Sequence, residues 1–385
     1  MNYLLEKIKG DRAIWMVVIF LSIFSLLAVY SSTGTLAYRF RSGNTEYYII
    51  KHFIILLLGL GLMVLASRVK YTYYSRISQL ALWVAAPLLF ITLVRGTTIN
   101  EASRWLTLPI INISFQSSDF AKLALIMFVA RTLTKKQETI KDFKDAFVPV
   151  LLPVLIITGL ILPANFSTAA MLFITCIVLM FVGGVSLKYI LAMGGVGIVA
   201  LALFIAVVMT LPEKGRVLTM KSRIEAFAGK TGENYQADQA KIAIATGGIF
   251  GKMPGNSTQR NFLPHAYSDF IYAIIIEEYG LIGGFAVLIL YLILFYRGVR
   301  VARQSPGTFG TLLAAGLSFS LVFQAMINMA VAVNILPVTG QPLPLISMGG
   351  TSLWFTSLAI GIILSVSRKI EEEEEPQNGQ AIATT

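Results

Sequence analysis

Residues 262–296 read FLPHAYSDFIYAIIIEEYGLIGGFAVLILYLILFY. From Ile271 onward the run is apolar and long enough to cross a bilayer, which takes about 20 such residues. Yet the segment carries three carboxylates: Asp269 at its mouth, and Glu277 and Glu278 two turns deeper. A carboxylate near mid-bilayer costs roughly 2.5–3.5 kcal/mol on insertion scales. A chain keeps three together where they face a cavity, a partner or a substrate. The search for function starts at this cluster.

The rest of the chain repeats the apolar pattern. Of 385 residues, 56% are hydrophobic and 13% charged, with mean hydropathy +0.74. A soluble domain is nearer half apolar and a quarter charged. Ten spans are expected, at 14–30, 49–67, 78–95, 115–132, 146–162, 167–185, 189–211, 269–296, 308–333 and 346–366. The fold class is therefore all-α: a polytopic membrane protein, with residues 1–370 as one integral membrane domain and a large loop at 212–268. Residues 371–385 open with five glutamates and turn polar, which predicts a disordered acidic tail. The first span follows a basic start without a small-residue cleavage site and reads as uncleaved. Cys176 is the only cysteine, so no internal disulfide can form.

Short-loop basic residues set the orientation. With the N-terminus inside, the cytoplasmic segments hold about 17 Lys and Arg and the short outer loops about four. Both termini are then cytoplasmic, and the long loop 212–268 lies outside. The net charge of +11 reads as this orientation signal and as attraction to anionic lipid, not as a sign of nucleic acid.

On that topology the unusual polar residues gather at the outer face. Arg104 and Trp105 precede span four, whose first turns hold Asp119 and Lys122, three residues apart and so on one helical face. Asp269 opens span eight. Asp269 suits a helix N-cap as well as a chemical role, and Asp119 with Lys122 suits mutual neutralisation as well as a site. Within the long loop, residues 241–250 (KIAIATGGIF) are apolar but too short to span, which suggests a re-entrant element. The glycines after it, with Ser257, Gln259 and Arg260, offer donors to an anionic headgroup or form a simple return turn. Residues 337–352 (PVTGQPLPLISMGGTS) cannot continue a helix. They read either as an outer loop or as a cavity wall, with Pro344, Gly349 and Gly350 in it. Glu277 lies about 80° round the helix from Asp269 and is the better cavity residue of its pair, whereas Glu278 turns toward a neighbouring helix; the first reading of the pair is a structural role.

Six stretches, taken in order, carry a resemblance: residues 103–106 (SRWL), 115–122 (FQSSDFAK), 163–168 (PANFST), 235–251 (YQADQAKIAIATGGIFG), 263–280 and 324–352. Together they resemble the SEDS (shape, elongation, division and sporulation) glycosyltransferases, among which are FtsW and RodA. VYSSTG after the first span and INMAVAV near residue 330 are more similar to FtsW than to RodA. The chain departs from the family pattern at Ser117-Ser118-Asp119, where Pro-Ser-Glu is usual, and at Met348, where tyrosine is usual.

The resemblance implies a polymerase of lipid II, the undecaprenyl-pyrophosphate-linked disaccharide-pentapeptide, acting on the outer face of the bacterial cytoplasmic membrane. It implies Asp269 as the essential carboxylate, here read as general base. Lys122 and Arg104 are the cations for the leaving diphosphate, with Asp119 holding Lys122. A divalent cation, Mg or Mn, is permitted, though no ligand set is readable. The implied partners are a class B penicillin-binding protein, which would supply cross-linking, and other membrane proteins of the division complex. A rival reading of the same intramembrane carboxylates and broken segments is a transporter that flips lipid II.

Overall fold

In a bilayer every backbone N–H and C=O must be bonded within the protein, so each apolar run closes into a helix. The structure, a computed structural model, describes residues 9–41, 44–95, 97–99, 102–108, 113–210, 221 and 235–383. Its helices are α1 (Arg12–Ser32), α2 (Gly34–Arg41), α3 (Thr45–Arg68), α4 (Tyr71–Arg95), α5 (Ser117–Lys135) and α6 (Val148–Ile161). They continue as α7 (Phe166–Val182), α8 (Leu187–Thr210), α9 (Tyr235–Gly247), α10 (Ile271–Gln304), α11 (Thr308–Ala332) and α12 (Thr351–Ala383).

Among the described residues, eight segments are long and apolar enough to cross a membrane. The shorter α7 and the charged α5, with Asp119, Lys122 and Lys135, account for the other two expected spans. The all-α polytopic architecture is as the sequence reading expected. Helix ends run beyond the apolar runs: α10 continues to Gln304 through Arg297, Arg300 and Arg303, because leaving the apolar layer does not end a helix.

Two features were not anticipated. A small antiparallel sheet, β1 (Thr97–Ile99), β2 (Ala102–Leu108) and β3 (Ile113–Gln116), precedes α5. Residues 371–383, expected as a disordered tail, continue α12 instead, and glutamate is a good helix former. Much of the loop 212–268 lies outside the described residues; its latter part is α9 followed by a tight return along α10.

Burial separates centre from rim. The apolar windows of α11 and α12 are 61% and 67% buried, that of α8 only 11%. The middle position of α11 brings α5, α7, α10 and α12 against it. At the end remote from Asp269, Asp11 caps α1 by accepting from the amides of Ala13 (2.9 Å) and Ile14 (3.2 Å). The same carboxylate takes the Arg297 guanidinium at 2.7 Å, and the Asp11 amide donates to Ser367, so α10 and α12 are tied to the start of α1.

The decisive irregularity lies inside α10, where Gly280 has φ 68° and ψ −171°. That break removes helical hydrogen bonds from buried backbone, where an unpaired group is costly. The return after α9 repairs them. Lys252 N and Met253 N donate to the carbonyls of Glu277 and Glu278, both at 2.9 Å. Leu281 N and Ile282 N donate to the carbonyls of Gly248 (3.0 Å) and Ile249 (3.3 Å). Contact is so close that a Cβ on Gly280 would overlap the Ile249 carbonyl, and one on Gly251 the Glu278 carbonyl. Gly280→Ala is therefore expected to destabilise by more than about 1 kcal/mol and to lower the thermal unfolding midpoint in detergent. Gly61→Ala, where a Cβ meets nothing within 4 Å, should leave that midpoint in place.

Candidate functional site

Asp269 is not the cap of its helix. α10 begins at Ile271 with Phe270 as N-cap and no side-chain cap bond, and the amides of Ala273 and Ile274 bond the Phe270 carbonyl. The Asp269 side chain is half-buried, and its Oδ1 accepts from the Ser268 hydroxyl at 2.8 Å. What fixes it is the main chain. Three successive carbonyls are held from outside α10: that of Tyr267 by the Met348 amide (3.0 Å), that of Ser268 by the Ser347 hydroxyl (2.6 Å) and that of Asp269 by the Asn328 amide (2.8 Å). Burial, then the charge of Asp269 and then Tyr48, pushes the Tyr267 phenol above its ordinary range, so it keeps its proton beside the carboxylate.

Lys122 and Asp119 share one face of the first turns of α5 and pair at 2.9 Å, with side chains only 15% and 5% exposed. Asp119 in the first turn also lies favourably with the helix dipole. Lys122 Nζ further donates to Gln324 Oε1 at 2.9 Å, and Gln324 Nε2 donates to the Pro342 carbonyl at 2.9 Å. One turn along α11, a rise of about 6 Å, Asn328 Nδ2 reaches the Asp269 carbonyl and also the Gln341 carbonyl at 2.7 Å. A single helix face thus bridges the elements that carry Lys122 and Asp269. Asp119 Oδ2 is buried with no partner among the described residues. Lys122 and Asp119 line a small cleft, whose polar lining is completed by Gln324, Ser320, Ser352 and Thr356. Leu123, Ile126, Leu317 and Ala359 make its apolar wall.

The segment 337–352 packs inward, not as a free loop. Gln341 Nε2 donates to Thr168 Oγ1 at 2.8 Å, and the Pro344 carbonyl accepts the Tyr291 hydroxyl. Pro344 is buried and structural, whereas Gly349 and Gly350 are half-buried where the chain turns into α12. Arg104 lies in β2, whose next residue, Trp105, sits opposite Gln116 just before α5; its side chain falls outside the described residues.

The deeper carboxylates are bonded into the fold, Glu277, read as the better cavity residue of the pair, included. Glu277 is 0% exposed. It accepts from Lys252 Nζ (2.7 Å), Thr258 N (3.1 Å), Thr258 Oγ1 (2.9 Å) and the Gln259 amide (3.2 Å), and from the Ser257 hydroxyl. Glu278 accepts from the Ser31 hydroxyl on α1, the neighbouring-helix contact expected of it, and from the Ser257 amide. Ser257 and Gln259 lie in the stretch read either as a source of headgroup donors or as a return turn. The Ser257 hydroxyl and both amides are already engaged by these two carboxylates.

Gln324, Asn328, Thr168, Ser347 and Lys252 were not singled out by the sequence reading. The signal available was buried amides one turn apart on an otherwise apolar helix, a pattern that demands partners in a membrane. Among the described residues no three His, Cys, Asp or Glu side chains cluster as metal ligands.

Comparison with known proteins adds the following. The family described as cell cycle protein (FtsW, RodA, SpoVE) matches residues 11–372. A probable peptidoglycan glycosyltransferase FtsW of Geobacter sulfurreducens is 34% identical over 368 residues, covering 94% of this chain and 96% of that protein. A crystal structure of the Thermus thermophilus rod shape determining protein RodA aligns with TM-score 0.69 at 25% identity, covering 94% and 98%. A chain from a peptidoglycan synthase complex, studied for how polymerization and crosslinking are coordinated, aligns with TM-score 0.75 at 24% identity over 94% and 98%.

The Glu277 cluster makes a prediction independent of any substrate. Glu277→Leu orphans the Lys252, Ser257, Thr258 and Gln259 donors at once, a loss of about 3–5 kcal/mol for a buried charged partner. It should lower the unfolding midpoint far more than Glu277→Gln, which keeps an acceptor of the same shape.

Proposed function

The chain belongs to the FtsW/RodA/SpoVE family, and from that premise we propose that it is a peptidoglycan glycosyltransferase polymerising lipid II on the outer face of the bacterial cytoplasmic membrane. The observation that carries the reading is Asp269. It is the one carboxylate of the α10 cluster left half-exposed, it is released from capping, and its main chain is locked by Asn328, Ser347 and Met348.

In this mechanism the Asp269 carboxylate takes the proton from the GlcNAc 4-hydroxyl of one lipid-linked chain. The freed oxygen attacks the MurNAc anomeric carbon of the other. The bond from that carbon to the diphosphate breaks with inversion, and undecaprenyl diphosphate leaves with the electron pair. Lys122 meets the charge that develops on the leaving group, a form of stabilisation that is strong in a site shielded from water. Asp119 and Gln324 hold Lys122 in place, at 2.9 Å each. Arg104 is the second cation. The described residues do not form a protein cage for Mg or Mn.

The partner that this reading calls for is a class B penicillin-binding protein, with other division-complex membrane proteins around it. The similarity to a synthase-complex chain supports an assembly of that kind. Septal rather than elongation work is supported by the 34% identity to a protein named probable peptidoglycan glycosyltransferase FtsW.

Purified protein given lipid II in detergent tests the proposal, because chain growth needs no second compartment and flipping does. General-base help contributes about 10²–10⁴-fold, so Asp269→Asn should lower kcat at least 100-fold with the unfolding midpoint retained. Glycan strands made by Asp269→Asn at the wild-type rate would end the assignment. Lys122→Met should slow the reaction as well, with its larger effect on kcat.

A further inference from the structure

His52 lies about two turns into α3 with 0% exposure, at the start of its long apolar run. A buried imidazole in a membrane helix is a polar cost that needs a partner. Its partner is Ser25 of α1: Nε2 and Ser25 Oγ are 2.7 Å apart. Ser25 Oγ in turn donates to the carbonyl of Ile346, 2.9 Å away. A hydroxyl has one proton, and a carbonyl can only accept. The Ser25 proton therefore goes to Ile346, and His52 must donate from Nε2. Nδ1, buried with no partner among the described residues, is then the bare nitrogen, since an N–H there would be an unpaired buried donor.

The residue at the end of this relay adjoins the catalytic segment. Ile346 is followed by Ser347 and Met348, which hold the carbonyls of Ser268 and Tyr267. Leu345, before it, has φ 63°, a left-handed conformation that a leucine keeps only when its surroundings enforce it. Two buried bonds from the membrane interior flank that strained residue: the Tyr291 hydroxyl on the Pro344 carbonyl and Ser25 on the Ile346 carbonyl.

We propose that His52, acting through Ser25 and the Ile346 carbonyl, is a positioning residue for Asp269. It touches neither substrate nor reacting atoms. Donating from Nε2, it fixes the direction of the Ser25 hydroxyl, which sets the strained 343–348 turn, which in turn seats the chain at 267–269. The link to catalysis rests on Asp269 being the base; the link to the position of the segment does not.

The test combines hydrogen–deuterium exchange with kinetics on the full-length protein in detergent. The variants are His52→Leu, His52→Gln and Ser25→Ala, with Asp269→Asn as inactive control. Glutamine places its amide nitrogen near the position of Nε2 and can donate to Ser25, whereas leucine cannot. In His52→Leu, exchange in peptides covering 263–270 and 343–350 should rise together by roughly tenfold, the scale of one lost buried hydrogen bond, and His52→Gln should restore both. Polymerisation should follow, with kcat falling roughly tenfold and KM within about twofold. Ser25→Ala should reproduce the leucine phenotype and serves if His52→Leu does not fold. Unchanged exchange in both peptides would overturn the proposal. So would a glutamine variant as loose as the leucine one, since that would make His52 mere packing. If wild-type protein makes no glycan, the proposed function fails, while the exchange comparison still decides the place of His52.

Discussion

A membrane helix with a gap in its hydrogen bonding cannot stand alone, and the break at Gly280 is the constraint from which the rest of the architecture follows. The backbone groups released there lie in the protein interior, where water is not available to satisfy them. The chain after α9 supplies the missing partners in both directions: Lys252 and Met253 donate, and Gly248 and Ile249 accept. Glu277 then grips the same return through Lys252 and the 257–259 turn. Close approach at Gly247, Gly251 and Gly280 permits this docking, because a side chain at any of the three would meet backbone.

This constraint sorts the three carboxylates of the opening stretch into two kinds. Glu277 and Glu278 are surrounded by donors, and their charge is what holds the return turn and α1 against α10. Asp269, ahead of the helix, receives one side-chain bond from Ser268 and is otherwise steered by its own main chain. A base needs a lone pair that can reach a substrate proton, and saturation by neighbours would take that away. Structure and reactivity are thus separated within nine residues, by how many donors surround each group.

Much of the fold was legible because apolar length is a direct physical signal: a run of twenty apolar residues has few stable alternatives. Asp269, Asp119 and Lys122 were legible for the converse reason, since charge in such a run demands a cause. The roles of Ser257 and Gln259 were not. Spacing shows that a turn has donors, but only tertiary contact shows that Glu277 has already taken them. The β1–β3 sheet escaped because its strands are short and lie between two stronger helical signals. Gln324 and Asn328 escaped because an amide on an apolar helix does not announce its partner. Residues 371–383 continue α12 because charge argues for solvation but does not forbid a helix.

The face of α11 that carries Gln324 and Asn328 behaves as a ruler. One amide meets the lysine of α5 and the other the chain at the mouth of α10, so their spacing is the pitch of one helix rather than the sum of many packing contacts. Helices that tilt as a bilayer thickens or thins shear past one another. Two groups referenced to a single rod keep their separation through such changes, so α11, not the lipid around the protein, sets the distance from the Lys122 side chain to the Asp269 main chain.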